Sequence, residues 1–187
     1  MGKLIYSMMV SLDGFIARPD GALDWVPIDE ELHAFANDQA REESLFLYGR
    51  RLYETMAAYW PTADQDPSAA AVEVDFARIW RSKPKLVFSR TLDSVGWNST
   101  LAREVRPDDI RRLKADSDGD LSVGGANLAA TFMRLGLIDE YQPLVLPVIL
   151  GAGIPALPLA ENAIKLRLLD THRFQSGVVF LRYQLNS

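Results

Sequence analysis

Asp120–Gly136, DLSVGGANLAATFMRLG, is the stretch on which the fold of this chain turns. Leu121, Ser122 and Val123 close a short strand, while Leu128, Phe132 and Leu135 recur at helical spacing with Ala129 and Met133 beside them. The run is therefore strand, Gly124-Gly125, helix, and Gly136 stops the helix. A glycine pair at such a junction carries no Cβ, so another molecule's phosphate or backbone can approach closely. The helix start adds unpaired N–H groups and a partial positive charge. This marks a candidate anion site. A tight strand-to-helix turn uses small residues in any case, so the rest of the chain has to decide.

Composition narrows the choices. The chain has 187 residues, 48% of them apolar, which fits a single domain over residues 1–187 with room for a real core. Net charge is 20 − 25 = −5 without basic blocks, which argues against nucleic acid or an anionic membrane and favours a small-molecule ligand. The absence of cysteine removes disulfides, thiolate metal sites and a cysteine nucleophile. His33 and His172 are isolated imidazoles without metal-ligand spacing, so no metal is expected. MGKLIYSMMVS is interrupted too soon for a signal peptide, and no run approaches the ~20 apolar residues of a membrane span, so a cytoplasmic protein is expected.

Taken in order, Lys3–Ser11 lacks alternation and predicts a strand buried on both faces, in mid-sheet. Asp13-Gly14 and Pro19-Asp20-Gly21 are turns on either side of Phe15-Ile16-Ala17. Asp29, Glu30 and Glu31 suit the first turn of a helix reaching about Glu42. Ser44–Tyr48 is a strand ending at Gly49-Arg50-Arg51, with a short helix beginning around Leu52 and ending at Trp60-Pro61. A polar loop over Thr62–Ser68, a helix over Ala69–Trp80 and a strand over Lys85–Ser89 follow. Val95-Gly96-Trp97 reads as a brief strand, Pro107–Ala115 as a polar helix and Tyr141–Leu150 as a long strand containing Pro143 and Pro147. Ile164–Phe174 and Val178–Leu185 make a hairpin turning at Ser176-Gly177. The pattern predicts a mixed sheet covered by helices on both faces.

Three strand ends carry groups suited to an anion. Arg50-Arg51 follows one, Ser89-Arg90-Thr91 a second and Gly124-Gly125 the third. In an open sheet ligands collect beyond the carboxyl ends of strands, and guanidinium and hydroxyl groups are natural partners of phosphate. Together they fit a phosphorylated dinucleotide. Gly151-Ala152-Gly153-Ile154-Pro155-Ala156 formally matches a dinucleotide fingerprint, but Pro155 and Pro158 fall where its helix must begin. It is read instead as a tight loop at the edge of a site.

MMVSLDGFIA, LYGRRLYETM, VFSRTL, SVGGANLAATFMRLGLIDEY and LPVILGAGIP occur in an order and spacing that resemble the dihydrofolate-reductase-like superfamily. The nearest resemblance is to the reductase domain at the C-terminal end of the riboflavin-biosynthesis deaminase-reductase, and it covers nearly the whole chain. It implies a three-layer α/β fold with a central, mostly parallel mixed sheet and a C-terminal antiparallel hairpin. It also implies NADPH held by Gly49, Arg50 and Arg51, by Ser89, Arg90 and Thr91, and by Gly124, Gly125, Ala126, Asn127 and Leu128, with Ile16 and Ala17 near the nicotinamide. Leu52 stands where relatives have threonine, and Leu23-Asp24-Trp25-Val26-Pro27-Ile28-Asp29 departs from the folate-pocket signature.

The expectation is an NADPH-dependent reductase of a small heterocyclic or carbonyl compound, with no deaminase half because the zinc pattern needs cysteine. Trp25 is the candidate substrate contact. Asp29 is the candidate proton donor, competing with Glu30 and Glu31 and with the plain reading of all three as helix-start charges. Alternatives are a dihydrofolate reductase proper and a non-catalytic nucleotide-binding dimer. A homodimer through the C-terminal strands is expected, with Val178–Leu181 as its apolar edge.

Overall fold

The unbroken apolar run Leu4–Ser11 forms strand β1 in mid-sheet in the computed structural model, which describes residues 1–26, 29–158 and 163–185. The chain continues through β2 (Phe15–Ala17), α1 (Glu30–Glu42), β3 (Glu43–Gly49) and α2 (Arg50–Tyr59), then α3 (Ala71–Ser82), β4 (Lys85–Phe88) and β5 (Ser99–Ala102). It ends with α4 (Pro107–Asp116), β6 (Asp120–Gly124), α5 (Ala126–Arg134), β7 (Glu140–Leu146), β8 (Ile154–Pro155), β9 (Leu166–Arg173) and β10 (Val179–Leu185). Eight strands form one sheet in the order β5-β4-β3-β6-β1-β7-β10-β9, while β2 and β8 pair apart from it. The strands from β5 to β7 run parallel, and the hairpin β9–β10 closes the sheet antiparallel to β7. The expected fold is present.

Strand alternation divides the core between two faces. Leu4, Tyr6, Leu47, Leu121 and Val123 pack on Ile110 of α4 and on Leu128, Ala129 and Phe132 of α5. On the opposite face Phe46, Tyr48 and Val87 pack on Ala40, Tyr53, Ile79 and Trp80 from α1, α2 and α3. Leu144, Leu146 and Phe180 meet Trp25, Leu32 and Phe174 further along that face. Each fully buried large side chain contributes about 1.5–3 kcal/mol from apolar burial, so these clusters hold the layers together.

Several boundaries differ from expectation. Trp97 and Asn98 have φ of 57° and 55°, which breaks extension, so Val95–Trp97 is irregular and the strand begins at Ser99. Part of the predicted polar loop continues α2 as a tight 3-10 helix over Trp60–Gln65, with Pro61 in its first turn. β7 stops at Leu146, before Pro147, whose missing N–H cannot extend the ladder. Its pairing with β10 joins Leu144 to Phe180 and Tyr141 to Tyr183, skipping the stretch around Pro143. The Val178–Leu181 stretch is no edge: β10 lies between β7 and β9, and Val178 and Phe180 are buried. The edge strand is β9, exposed along its length.

Candidate active site

β4, β3 and β6 are adjacent and parallel, so their carboxyl ends finish together, with Gly49 paired to Phe88 and Tyr48 to Gly124. Gly49 is the N-cap of α2 and Gly125 the N-cap of α5, and no side chain caps either helix. Two sets of free N–H groups, each with the positive end of a helix dipole, therefore open at neighbouring strand ends. Gly125 sits at φ 95°, a region side chains rarely enter. A Cβ on Gly124 would lie 2.3 Å from Leu52 Cδ2 and 3.2 Å from the Tyr48 ring. Leu52 thus packs into space that only glycine leaves.

Side chains draw the three ends together. Arg50 Nη1 donates to Thr91 Oγ1 at 2.7 Å and its Nε to Glu54 Oε1 at 3.0 Å, which links α2 to the turn after β4. The buried Ser89 hydroxyl accepts from the N–H groups of Thr91 and Leu92 at 3.2 and 3.0 Å, shaping that turn. Arg103, which the sequence did not single out, donates to the carbonyls of Ser89 and Leu92 at 3.2 and 2.6 Å. Arg51, Arg90 and Thr91 are exposed, as is Arg50. Ala126, Asn127 and Leu128 form the first turn of α5.

The GAGIPA segment contains the short strand β8 and no helix, as its prolines require. It is fastened beside the β1–β2 turn. Ala17 pairs with Ile154, the Tyr6 hydroxyl donates to the Ala156 carbonyl at 2.9 Å, and Asp13 accepts from the N–H groups of Leu150 and Gly151 at 3.1 and 2.7 Å. The Ser11 hydroxyl and these N–H groups hold the Asp13 carboxyl below the usual carboxylate range.

A cavity of about 420 Å³ lies between the sheet and the helices α1, α2 and α3. Ser7, Met9, Phe46, Tyr48 and Ser122 form its floor, and Gln39, Met56 and Phe76 stand over them. Gly124, Leu52 and Ile16 also line it, so the cavity adjoins the strand-end groove. Its size is that of a small-molecule site.

Of the two readings left open for the acids, the structure agrees with the plain one, in which all three stand at the start of α1. Asp29 is exposed and caps α1, accepting from the Leu32 N–H at 2.7 Å, and it does not line the cavity. Glu30 and Glu31 are in the first turn of α1, and Glu31 accepts from the Gln175 N–H at 3.0 Å. Trp25 is buried beside Leu32 and Leu144, while its neighbours Leu23 and Val26 reach the cavity. The acid in the cavity wall is Glu43. Burial pushes its carboxyl up to about 7, opposed by the Ser122 hydroxyl that hydrogen-bonds to it and by the charge of Lys83.

Period-two alternation along β3 would place Glu43 with Leu45 and Leu47 on the other face. The register shifts between Glu43 and Leu45: Glu43 pairs with Asp120, and Leu45 with Leu121. Ser44 is the extra residue of this bulge, and the bulge puts Glu43 on the same face as Phe46 and Tyr48. The only local signal is an acid opening an apolar strand.

A central, mostly parallel sheet with helices on both faces and a terminal antiparallel hairpin defines the dihydrofolate-reductase-like fold. The chain belongs to the RibD C-terminal domain family, a family of reductases, whose model matches residues 2–180. It is 32% identical over 185 residues to the uncharacterized protein YyaP of Bacillus subtilis, covering 98% of this chain and 95% of that protein. Among solved structures it is similar to a putative riboflavin biosynthesis protein of Shewanella sp. PV-4, with TM-score 0.77, 22% identity and 99% of each chain covered. The deaminase and 5-amino-6-(5-phosphoribosylamino)uracil reductase of Thermotoga maritima gives TM-score 0.66 at 16% identity, with 99% of this chain matching 57% of that one. Dihydrofolate reductase of Enterococcus faecalis, solved with NADP(H) and RAB-propyl, gives TM-score 0.66 at 11% identity over 100% of this chain and 98% of that one. At these identities the solved structures establish the fold alone.

Proposed function

We propose that the chain is an NADPH-dependent reductase of a small heterocyclic or carbonyl compound. The observation that carries this reading is the convergence of two uncapped helix starts and the Arg50–Thr91 pair on adjacent strand ends that adjoin a cavity. The turn at Gly124-Gly125, with Gly125 at φ 95°, offers a pyrophosphate the free N–H groups at the start of α5, beside those of α2. Arg50, Arg51 and Arg90 are the cations available to a 2′-phosphate, with Ser89 and Thr91 shaping the turn between them. Ile16 lines the cavity from β2, where it would meet the nicotinamide ring. NADPH supplies the hydride when bound, and the protein supplies position and exclusion of water.

The test begins with NADPH, which should raise the melting temperature and quench tryptophan fluorescence. If NADPH produces neither effect in the parent protein, the proposal is overturned. Arginine contacts of roughly 1.5–3 kcal/mol each predict that Arg50→Ala or Arg90→Ala weakens NADPH by about tenfold or more and NADH much less. Following NADPH absorbance against pteridines, pyrimidines and quinones then finds the acceptor.

The same proposal includes a homodimer through the C-terminal hairpin, now on β9. Its Leu166, Leu168 and Leu169 are 40%, 51% and 40% exposed on an unpaired edge, which favours pairing with a second copy. Light scattering that finds only the 20.9 kDa chain removes this part of the proposal.

A further inference from the structure

We propose that the cavity beside the cofactor groove binds an unphosphorylated, planar heterocycle that presents an amidine-like pair of N–H donors to Glu43. This rests on the reductase reading for the role of the site and goes beyond it in naming the class of acceptor. The substrate named for the Thermotoga maritima neighbour carries a phosphoribosyl group, a dianion that needs cations. Among the described residues lining this cavity there is no lysine or arginine, and the one charged side chain is an acid.

The polar groups are few: Ser7, Gln39, Glu43, Tyr48 and Ser122. Glu43 and Ser122 lie on the sheet, and Gln39 stands on α1 across from them, whereas Met9, Met56, Phe46 and Phe76 supply apolar and aromatic surface. Gln39 is already engaged, its Nε2 donating to Gln142 Oε1 at 3.2 Å. The Ser122 hydroxyl is the one side-chain donor that favours the ionised Glu43. A carboxylate has two oxygens and about four lone-pair sites, so acceptor capacity is left over. Two parallel N–H donors on a flat ring match a carboxylate in the bidentate manner, and the ring fills the apolar part of the cavity. A phosphate placed there would meet Glu43 and lose its hydration without a compensating cation.

The charged and titratable groups around Glu43 are Lys83, Asp120 and Tyr48. Lys83 Nζ is held by backbone carbonyls, donating to Arg41 O at 3.0 Å and to Glu43 O, so it steadies this corner without entering the cavity. Asp120 is paired with Glu43 across the ladder and adds negative charge. The surroundings favour a cationic or N–H-rich ligand edge and disfavour an anionic one.

Benzamidine, benzamide and phenyl phosphate share one ring and differ in charge, which makes them direct probes. Calorimetry on the full chain should rank them benzamidine, benzamide, phenyl phosphate from tightest to weakest. Glu43→Gln should weaken benzamidine by about tenfold or more, the size of a charge-assisted contact, and leave NADPH affinity unchanged. The parent protein gives a second readout that needs no variant. With the Glu43 carboxyl at about 7, benzamidine affinity should rise roughly tenfold between about pH 6 and about pH 8 as the carboxyl ionises. Phenyl phosphate binding as tightly as benzamidine, or a pH-independent benzamidine affinity that Glu43→Gln leaves unchanged, overturns the assignment while NADPH binding still upholds the reductase. If NADPH fails to bind but benzamidine remains dependent on Glu43, the reductase reading falls and the assignment stands.

Discussion

Glu140 and Glu43 both open parallel strands on the α1 side of the sheet, yet their surroundings are opposite. Glu140 is 1% exposed and receives Lys3 Nζ at 2.7 Å, Arg182 Nε and Nη2 at 2.7 and 3.0 Å and Gln142 Nε2 at 2.9 Å. Burial works to raise its carboxyl, but Arg182, Lys3 and Gln142 together hold it at about 2. Glu43 has one hydroxyl, and burial pushes it up to about 7. A buried acid supplied with donors is part of the structure. An acid left short of donors beside a cavity is ready for a ligand.

The largest effect expected from this contrast is on Glu140. Glu140→Gln removes the charge that Arg182 and Lys3 face but keeps an acceptor oxygen, and because those two cations are 35% and 47% exposed the cost is about 3 kcal/mol, the low end for a buried pair. Its folded value is depressed, so the stabilisation is fully present above the ordinary 4.5 and is lost as pH falls towards about 2. Urea unfolding of parent and variant should therefore differ most at neutral pH and converge in acid. A variant as stable as the parent at neutral pH would remove the distinction between the two acids.

Glu43→Gln should do the reverse. The folded value is raised, so the cost of burying the charge is absent below 4.5 and grows as pH rises to about 7. Above that, the variant is expected to be more stable than the parent by about 1–3 kcal/mol, with the gap closing in acid. Thermal melts at several pH values measure the gap. A destabilised Glu43→Gln at pH near 8 would mean that Glu43 is as structural as Glu140.

The two halves of the site differ as much in legibility as the two acids do in chemistry. That Gly49, Arg50, Ser89, Thr91 and Gly124-Gly125 lie at neighbouring strand ends could be read from sequence because each follows an apolar run directly, and parallel topology brings such ends together. The cavity is assembled from Ser7, Gln39, Met56, Phe76 and Ser122, which only tertiary packing makes neighbours. Asp29 is an acid before a helix, which has the same local appearance whether it caps or catalyses, and in the structure it caps. Glu43 was hidden by a single inserted residue. Strand alternation, the rule that locates core faces elsewhere in the sheet, points Glu43 to the wrong side as soon as Ser44 is counted as regular.

That inserted residue gives the smallest and most selective prediction. Ser44 Oγ lies 2.5 Å from Ser117 Oγ, 3.1 Å from the Gly119 carbonyl and 3.0 Å from the Asp120 carbonyl, so its hydroxyl ties the bulge to the turn before β6. Gly119 leaves the room this needs, since a Cβ there would sit 3.0 Å from the Glu42 carbonyl and 3.3 Å from Ser44 Cβ. Removing the hydroxyl in Ser44→Ala costs one hydrogen-bonding group, about 1 kcal/mol, and loosens the bulge without changing any residue in the cavity. Benzamidine affinity should fall about two- to threefold, because Glu43 is then held on the cavity side for a smaller fraction of the time, while NADPH affinity, proposed for the far strand ends, should stay the same. Loss of stability with benzamidine affinity unchanged would show that backbone pairing of Glu43 with Asp120 fixes the bulge by itself. Equal weakening of both ligands would mean that the groove and the cavity respond as one unit, and the contrast drawn between them would have to be given up.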